Sequence, residues 1–457
     1  MQKIFIDCSF IYEHPELNTG IQRVVRKVIE NLELLKDEKE VDITLVTINN
    51  NQFSEIDIEL LYNHVKSTPQ EPIQKIQKID HKRVIKEYLK NIYRATRELL
   101  ATILPFKQLK FFLFAPTERF GLNYIIHNIF IKPFSKTAPK KIEKEIIPPN
   151  RLEISKGDTL LLLDSTWHLD IWRTIAEVKQ KEANVVAVIY DLIPLTHPQF
   201  CDDFLVKVFQ NWFNRSIEFV DGYIAISNTV EKDLVSYLYS NFGHSVKDKK
   251  FDHFLLGSDF NYSRVENLHV REELKNPFEN SSTYLIVSTI EPRKNHKYLL
   301  DTFDLLWKKE ISVNLCIVGK IGWKVEEIME RINYHKELNH KLFHYDDLND
   351  KELIFCYQNA KALLFPSIIE GFGLPIVESL TNHLPVLASN TAIHREVGEE
   401  KIDYFNLNNS EDLVQKIIDI EKNGISEKFI PSADYKWADW NESTKILLDK
   451  ITKITSS

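Results

Sequence analysis

Short apolar runs recur along the chain, separated by longer stretches in which apolar positions return every three or four residues. Lys3–Asp7, Val41–Ile48, Thr159–Leu163, Val185–Tyr190 and Tyr223–Ile226 form one series. Tyr284–Ser288, Val313–Val318, Lys341–His344, Ala362–Phe365 and Val386–Ala388 form a second. These runs are β-branched or leucine-rich and apolar on both alternating faces, which predicts parallel strands buried between helix layers. Their alternation with amphipathic helices predicts two doubly wound α/β domains. The first helix is marked by Ile21, Val24, Val25, Val28, Ile29 and Leu32, with Asn18 or Thr19 as N-cap. A Gly-Ser-Asp turn at 257–259 opens a polar stretch, which places the division between the halves in 258–280. Ala438–Ile454 reads as a closing helix.

One region departs from this rhythm. Between Lys75 and Lys141 there are 15 Lys/Arg and 4 Asp/Glu, a local charge of +11, so the remainder carries −19 of the net −8. Val84, Ile85, Tyr88, Leu89, Ile92, Leu99, Leu100, Ile103 and Leu104 make an apolar helical stripe there, opposed by lysines and arginines. A basic amphipathic segment of this kind suits an anionic membrane surface. Packing on its own domain, with lysine stems covering apolar surface, is the alternative. Without an aromatic stacking platform, the segment is not expected to bind nucleic acid.

Composition narrows the picture further. Hydrophobic residues make up 43% and charged residues 27%, the balance of a globular protein with a sizeable core. The four cysteines, Cys8, Cys201, Cys316 and Cys356, are far apart and form no CxxC pair, which argues against a disulfide framework or structural zinc and for a reducing cytoplasm. The N-terminal run is broken by Asp7 and reads as a strand rather than a leader. No run approaches the roughly 20 apolar residues of a membrane span. The expected location is cytoplasmic, with peripheral attachment to the inner face of the membrane through residues 75–141.

Candidate chemistry concentrates between Phe365 and Ser379, FPSIIEGFGLPIVES. An apolar strand ends at Phe365, a glycine-containing loop follows, and a helix begins near Pro375. Ligands of open α/β sheets bind at the carboxyl ends of strands, and a helix N-terminus there suits phosphate. Gly371 and Gly373 allow close backbone approach. Two carboxylates, Glu370 and Glu378, flank the same loop, which fits hydroxyl groups better than phosphate. A diphosphate between polyhydroxylated rings, as in a nucleotide sugar, combines both demands. Taken singly, Glu378 could instead complement a helix dipole and Glu370 could be a solvated loop carboxylate.

This segment resembles the E-x7-E signature of retaining glycosyltransferases of the GT-B fold, in particular glycosyltransferase family 4. Ser288 to His296 (STIEPRKNH) is similar to the family's donor-phosphate segment, and Asn18 to Arg23 (NTGIQR) to its first glycine loop. Tyr190–Pro194, Ala225–Asn228, Leu256–Asp259 and Asp439-Trp440 resemble further motifs, leaving the basic segment uncovered. The resemblance implies two Rossmann-like domains facing across a cleft: 1–262 on the acceptor side with the insertion at 70–145, 263–435 on the donor side, and a closing helix at 436–457.

It further implies that Glu378 holds the donor ribose and Glu370 the transferred sugar. Backbone at Gly371, Phe372, Gly373 and Leu374 would contact sugar and diphosphate, and Gly20 would approach the diphosphate from the other domain. Lys294, with Arg293 beside it, would neutralise the leaving diphosphate, because a prepositioned cation in a dry cleft stabilises the developing charge. The chain departs from many relatives at Ser288-Thr289, where they carry an Arg, and at Tyr190, where they carry a His. His168, Tyr190 and Asp191 are candidates for the acceptor side; Ser227, Gly319, Lys320, Trp323, His344 and Tyr345 are weaker candidates, and His197 reads as structural.

The expected partners are a nucleotide sugar and a glycan or lipid-linked glycan. No cofactor and no metal are expected, since neither a P-loop, a GxGxxG fingerprint, HExxH nor a DxD pair is present. The expected function is retaining transfer of a sugar in bacterial surface polysaccharide or glycolipid assembly. A GT-B phosphorylase or epimerase, or a catalytically silent GT-B module binding glycan or a partner, are the alternatives.

Overall fold

A computed structural model describes residues 3–15, 20–35, 42–49, 52–58, 154–258, 270–279 and 281–456. The basic insertion expected at 70–145, the N-cap at Asn18 or Thr19, and most of the polar stretch after Ser258 lie outside the described residues.

The first sheet contains β1 (Lys3–Asp7), β2 (Asp42–Asn49), β3 (Gln52–Glu55), β4 (Thr159–Leu162), β5 (Asn184–Ile189), β6 (Gly222–Ala225) and β7 (Lys250–His253). Their spatial order is β3-β2-β1-β4-β5-β6-β7, parallel throughout except for the antiparallel β3 at one edge. The second sheet contains β8 (Ser282–Val287), β9 (Val313–Val318), β10 (Leu342–Tyr345), β11 (Ala362–Phe365), β12 (Val386–Ser389) and β13 (Asp403–Phe405). Its order is β10-β9-β8-β11-β12-β13, all parallel. This is the doubly wound α/β architecture expected.

Central strands such as β4, β9 and β11 are buried along their whole length, which is why their sequences are continuous apolar runs. Three strands were not expected from sequence: β3, β7 and β13. Each is short, mixed in polarity and at a sheet edge, so only part of it needs to be apolar.

Both sheets reverse direction of winding at their middle, between β1 and β4 and between β8 and β11. Such switch points open a crevice at the strands' carboxyl ends, because the two following loops leave on opposite faces.

The helix Ile21–Leu35 buries Val24, Val25, Val28, Ile29 and Leu32 against the first sheet. The last helix, Trp440–Thr455, begins two residues later than expected because Asp439 serves as its N-cap, accepting from the Glu442 amide at 2.8 Å. It packs Leu447, Leu448, Ile451 and Ile454 into the same core. The chain therefore returns to the first sheet after completing the second. A Cβ on Gly222 would lie 2.4 Å from Ile454, and one on Gly257 2.6 Å from the Trp440 backbone, so glycine at both positions admits the returning helix. Lys450 and Lys453 fasten it to Asp252 at 2.6 and 2.8 Å. Among the described residues, no helix is long and apolar enough to cross a membrane.

Candidate functional site

The loop after β8 and the loop after β11 leave neighbouring strands at the second sheet's switch point, which brings residues some 76 positions apart into contact. Glu291 and the 3-10 turn Pro292–Lys294 follow β8. Lys294 and Arg293 both turn toward Glu370, which follows β11. Lys294 Nζ lies 2.5 Å from Glu370 Oε1, and Arg293 Nη1 lies 2.5 Å from Oε2. Arg293 also meets Glu291 at 2.6 Å and donates to the Ile369 carbonyl at 3.2 Å. The Lys294 ammonium additionally sits 5.2 Å from the centre of the Phe365 ring.

The Glu370 side chain is only 7% exposed. Burial works against its charge, but Arg293 and Lys294 outweigh burial and hold its pKa down at about 2. Burial likewise opposes the Lys294 charge, and Glu370 supports it. Glu291 and Asp191 border the cluster with their pKa values raised by burial and pulled back by the same cations. The arrangement is a largely buried cationic pair neutralised by carboxylates. An incoming anion can take the cations, and hydroxyl groups can take the carboxylates.

Eight residues on from Glu370 stands Glu378, in the first turns of the helix Leu374–Thr381. Gly373 caps that helix with φ of +108°, a conformation that favours glycine. Pro375 falls in its first turn, one residue inside the helix. The Glu378 carboxylate is 3% exposed and both its oxygens are engaged: Oε1 with Arg23 Nη1 at 2.8 Å, Oε2 with the Tyr357 hydroxyl at 2.8 Å.

Residues 271–437 match the family described as Glycosyl transferases group 1. The matched stretch encloses Arg293, Lys294, Glu370 and Glu378. Over a longer stretch the chain is 30% identical across 309 residues to the serotype-specific mannosyltransferase WbdA of Escherichia coli, covering 65% of this chain and 37% of that protein. The chain therefore spans little more than a third of that relative's length. It is 26% identical over 242 residues to the O-antigen chain mannosyltransferase RfbU of Salmonella typhimurium, covering 52% of this chain and 61% of RfbU. In fold it is similar to a glycosyltransferase from Rickettsia africae, with a TM-score of 0.52 at 16% identity, covering 99% and 98% of the two chains. HepE of Anabaena, solved with UDP and glucose, gives a TM-score of 0.50 at 11% identity, covering 100% and 98%. The two-sheet GT-B fold is thereby established.

The loop after β11 meets the first sheet directly. A Cβ on Gly371 would lie 2.1 Å from the Tyr190 carbonyl oxygen and 3.2 Å from the Asp191 Cβ. Gly371 is glycine to admit the loop after β5, whereas sequence reasoning assigned its freedom to a ligand. Ser227 donates to the Gly371 carbonyl at 3.0 Å. Glu396 reaches across to cap the helix Asn228–Phe242, accepting from the Asn228 and Thr229 amides at 2.8 and 2.7 Å. On another side, Trp323 Nε1 donates to the Phe200 carbonyl at 2.7 Å and Lys324 Nζ to that of Cys201 at 2.5 Å.

The remaining candidates are placed unevenly. Phe372 and Leu374 flank Gly373; the Phe372 ring is buried against Trp437, so it faces the seam through its backbone. Gly20 precedes the Arg23 helix with φ of +48°, and no atom of the described residues lies within 4 Å of where its Cβ would be, so backbone conformation accounts for glycine there. Asp191 joins the edge of the cation cluster, accepting from the Ile193 amide at 2.9 Å. Tyr190 has its ring in the first sheet's core, where its hydroxyl donates to the Leu163 carbonyl at 2.7 Å, and its backbone carbonyl faces Gly371. His168 is exposed at the end of β4, edge-on to Phe10 at 5.0 Å, with Phe10 in turn 4.6 Å from His14. His197 stacks on Phe200 and bonds Thr196, a structural placement. His344 bonds the Gly319 carbonyl at 3.2 Å and Tyr345 that of Glu273 at 2.9 Å.

Sequence reasoning quoted Arg23 and Glu291 within motifs without giving either a role, and it missed Tyr357 and Glu396. Tyr357 and Glu396 lie on helices whose sequences carry no glycine loop or strand end to flag them.

Proposed function

We propose that the chain transfers a hexosyl residue from a nucleoside diphosphate sugar to a glycan acceptor in bacterial surface polysaccharide assembly, with retention of anomeric configuration. The observation that carries this reading is the Lys294–Glu370–Arg293 cluster at a switch point inside a group 1 domain. The mannosyltransferase names of WbdA and RfbU make mannose the first donor sugar to try.

In this reading the diphosphate takes Lys294 and Arg293, and the sugar hydroxyls take Glu370. Breaking the bond from the anomeric carbon to the phosphate oxygen builds negative charge on that oxygen, which Lys294 stabilises by several kcal/mol, on the order of other prepositioned donors. The acceptor hydroxyl attacks from the same face, its oxygen bonding the anomeric carbon while its proton passes to the departing phosphate oxygen. The protein supplies orientation and charge, with Lys294 and the helix N-terminus at Gly373 in the place a divalent ion takes elsewhere. The acceptor approaches from the first sheet, past Asp191 and His168. The basic segment 75–141 holds the protein on an anionic membrane, and deleting it should abolish sedimentation with anionic liposomes; unchanged sedimentation would overturn that part.

The test is transfer itself. The folded protein, given a panel of nucleoside diphosphate sugars and mannose oligosaccharides, should release nucleoside diphosphate from one donor and lengthen the oligosaccharide through an α-anomer, read by NMR. A β-linked product would overturn retention. Absence of both transfer and nucleotide binding would overturn the reading as a whole.

A further inference from the structure

The segment from Tyr190 to Cys201 runs from the first sheet across the loop that carries the cation pair. At one end the Tyr190 carbonyl lies against Gly371, in the loop after β11. At the other, the Phe200 and Cys201 carbonyls accept from Trp323 Nε1 at 2.7 Å and Lys324 Nζ at 2.5 Å, in the loop after β9. β8 stands between β9 and β11 in the second sheet, so its loop, with Arg293 and Lys294, lies between those two contacts. Burial and charge agree with this placement. The Lys294 and Arg293 side chains are only 10% and 19% exposed. Burial, with Asp191 adding to it, pushes the Cys201 thiol up to about 11, and Arg293 pulls it back. A diphosphate that takes the cation pair therefore has to move this cover.

The two ends of the cover are built differently. Tyr190 meets Gly371 backbone to backbone, and Ser227 bonds the same loop at 3.0 Å. The far end rests on little packing, since none of Pro198, Gln199 and Phe200 is buried. Segments with few buried contacts open locally at low cost. The bonds that tie this end to the second sheet come from Trp323 and Lys324, two partly exposed side chains, with Asp203 3.6 Å from the Lys324 ammonium. Their loop is fixed in turn to the cation loop. The Gly322 amide donates to the Ile290 carbonyl at 2.9 Å and the Ile290 amide to that of Lys320 at 2.8 Å, one residue before Glu291.

We propose that Trp323 and Lys324 are positioning residues: they clasp Pro198–Cys201 over the cation pair, and unfastening them admits and releases the nucleoside diphosphate. The identity of the ligand rests on the nucleotide-sugar reading above; the clasp rests on the contacts themselves. Because the clasp grows from the loop bonded to Ile290, closing it sets the cover in register with Arg293 and Lys294.

Cys201 is a native reporter, since its thiol lies under the clasped end. The test is alkylation by iodoacetamide, read at each cysteine by peptide mass spectrometry, in wild-type protein, Trp323→Phe and Lys324→Met, with melting temperature as the check of folding. Cys201 should be labelled about fivefold faster in Trp323→Phe, which loses one neutral donor, and about tenfold faster in Lys324→Met, which loses a charged one. Cys8, Cys316 and Cys356, fully buried elsewhere, should keep their wild-type rates. Among ADP, GDP, UDP and CDP, the one that binds should slow labelling of Cys201 in the wild type and dissociate from the variants about as much faster, read by stopped-flow displacement. Unchanged Cys201 labelling in both variants, or equal acceleration at all four cysteines, would overturn the clasp. Faster labelling with unchanged nucleotide dissociation would overturn its control of the ligand. If none of the four binds the folded wild-type protein, the nucleotide-sugar reading falls, and the labelling rates still decide the clasp.

Discussion

The two sheets present the same topological feature, a switch point at the carboxyl ends of central strands, and fill it with opposite electrostatics. Between β8 and β11, Glu370 meets Lys294 and Arg293, and its pKa is driven down to about 2. Between β1 and β4, Asp7 and Asp164 are buried near each other with only neutral donors. Asp7 accepts from the Ser9 amide at 3.1 Å and hydroxyl at 2.5 Å, and its other oxygen has no partner among the described residues. Asp164 accepts from the Ile11 amide at 2.8 Å and the Ser165 amide at 2.7 Å. Burial, with Asp164 adding to it, raises Asp7 to about 7, and burial raises Asp164 to about 6. One crevice holds paired charges. The other is an acid pair that pins the short helix Ser9–Glu13, which carries Phe10 toward His168. A switch point supplies a place for chemistry, and the side chains placed there decide what kind.

The comparison breaks most visibly at Lys294. Lys294→Ala should lower kcat/KM for transfer by about a thousandfold, roughly 4 kcal/mol of transition-state stabilisation, while Arg293 keeps Glu370 paired and the fold intact. Near-normal activity in that variant would remove the cationic switch point from the mechanism.

Next in size is the pH response of the acid pair. Asp7 has a folded pKa above its unfolded value of 3.8, so the stability it contributes is fully present below about pH 4 and is lost as pH rises through 7. Asp7→Asn abolishes that loss. The stability difference between variant and wild type should therefore grow in the variant's favour by roughly 2–4 kcal/mol between pH 5 and pH 8, measured by urea unfolding. Glu370, at about 2, contributes no slope across the same range. A difference that stays constant with pH would show that Asp7 is ionised in the fold.

Glu378→Ala sharpens the donor side. If Glu378 holds the ribose as proposed, its loss should weaken nucleoside diphosphate binding by about tenfold to a hundredfold, read by calorimetry, because a charge-assisted hydrogen bond is lost. Smallest is the cross-sheet cap: Glu396→Ala should cost about 1 kcal/mol, as loss of an N-cap does elsewhere, and appear as a modest fall in melting temperature.

How much of this was legible in the sequence depended on whether burial wrote a pattern. Strands buried on both faces, such as Val313–Val318 and Ala362–Phe365, announce themselves as apolar runs and were read with their observed bounds. The edge strands Lys250–His253 and Asp403–Phe405 need few apolar residues and left no run to read. Lys294, Arg293, Glu370 and Glu378 were found because strand ends, a glycine loop and a helix start lie together in sequence. Contacts across the seam have no such signature. The Arg23–Glu378 pair spans 355 positions, and Glu396 caps a helix 168 positions away. Asp7 was legible only as an interruption of an apolar run; that it faces Asp164 follows from β1 pairing with β4, which no local pattern encodes.

The central claim is that the switch point between β8 and β11 is a nucleoside diphosphate site. It is tested most directly by calorimetric titration of ADP, GDP, UDP and CDP into wild-type protein and Lys294→Ala at pH 7. The account predicts that one of the four binds the wild-type protein and binds the variant at least tenfold more weakly. Failure of all four to bind the folded wild-type protein, or equal affinity in the variant, would contradict it.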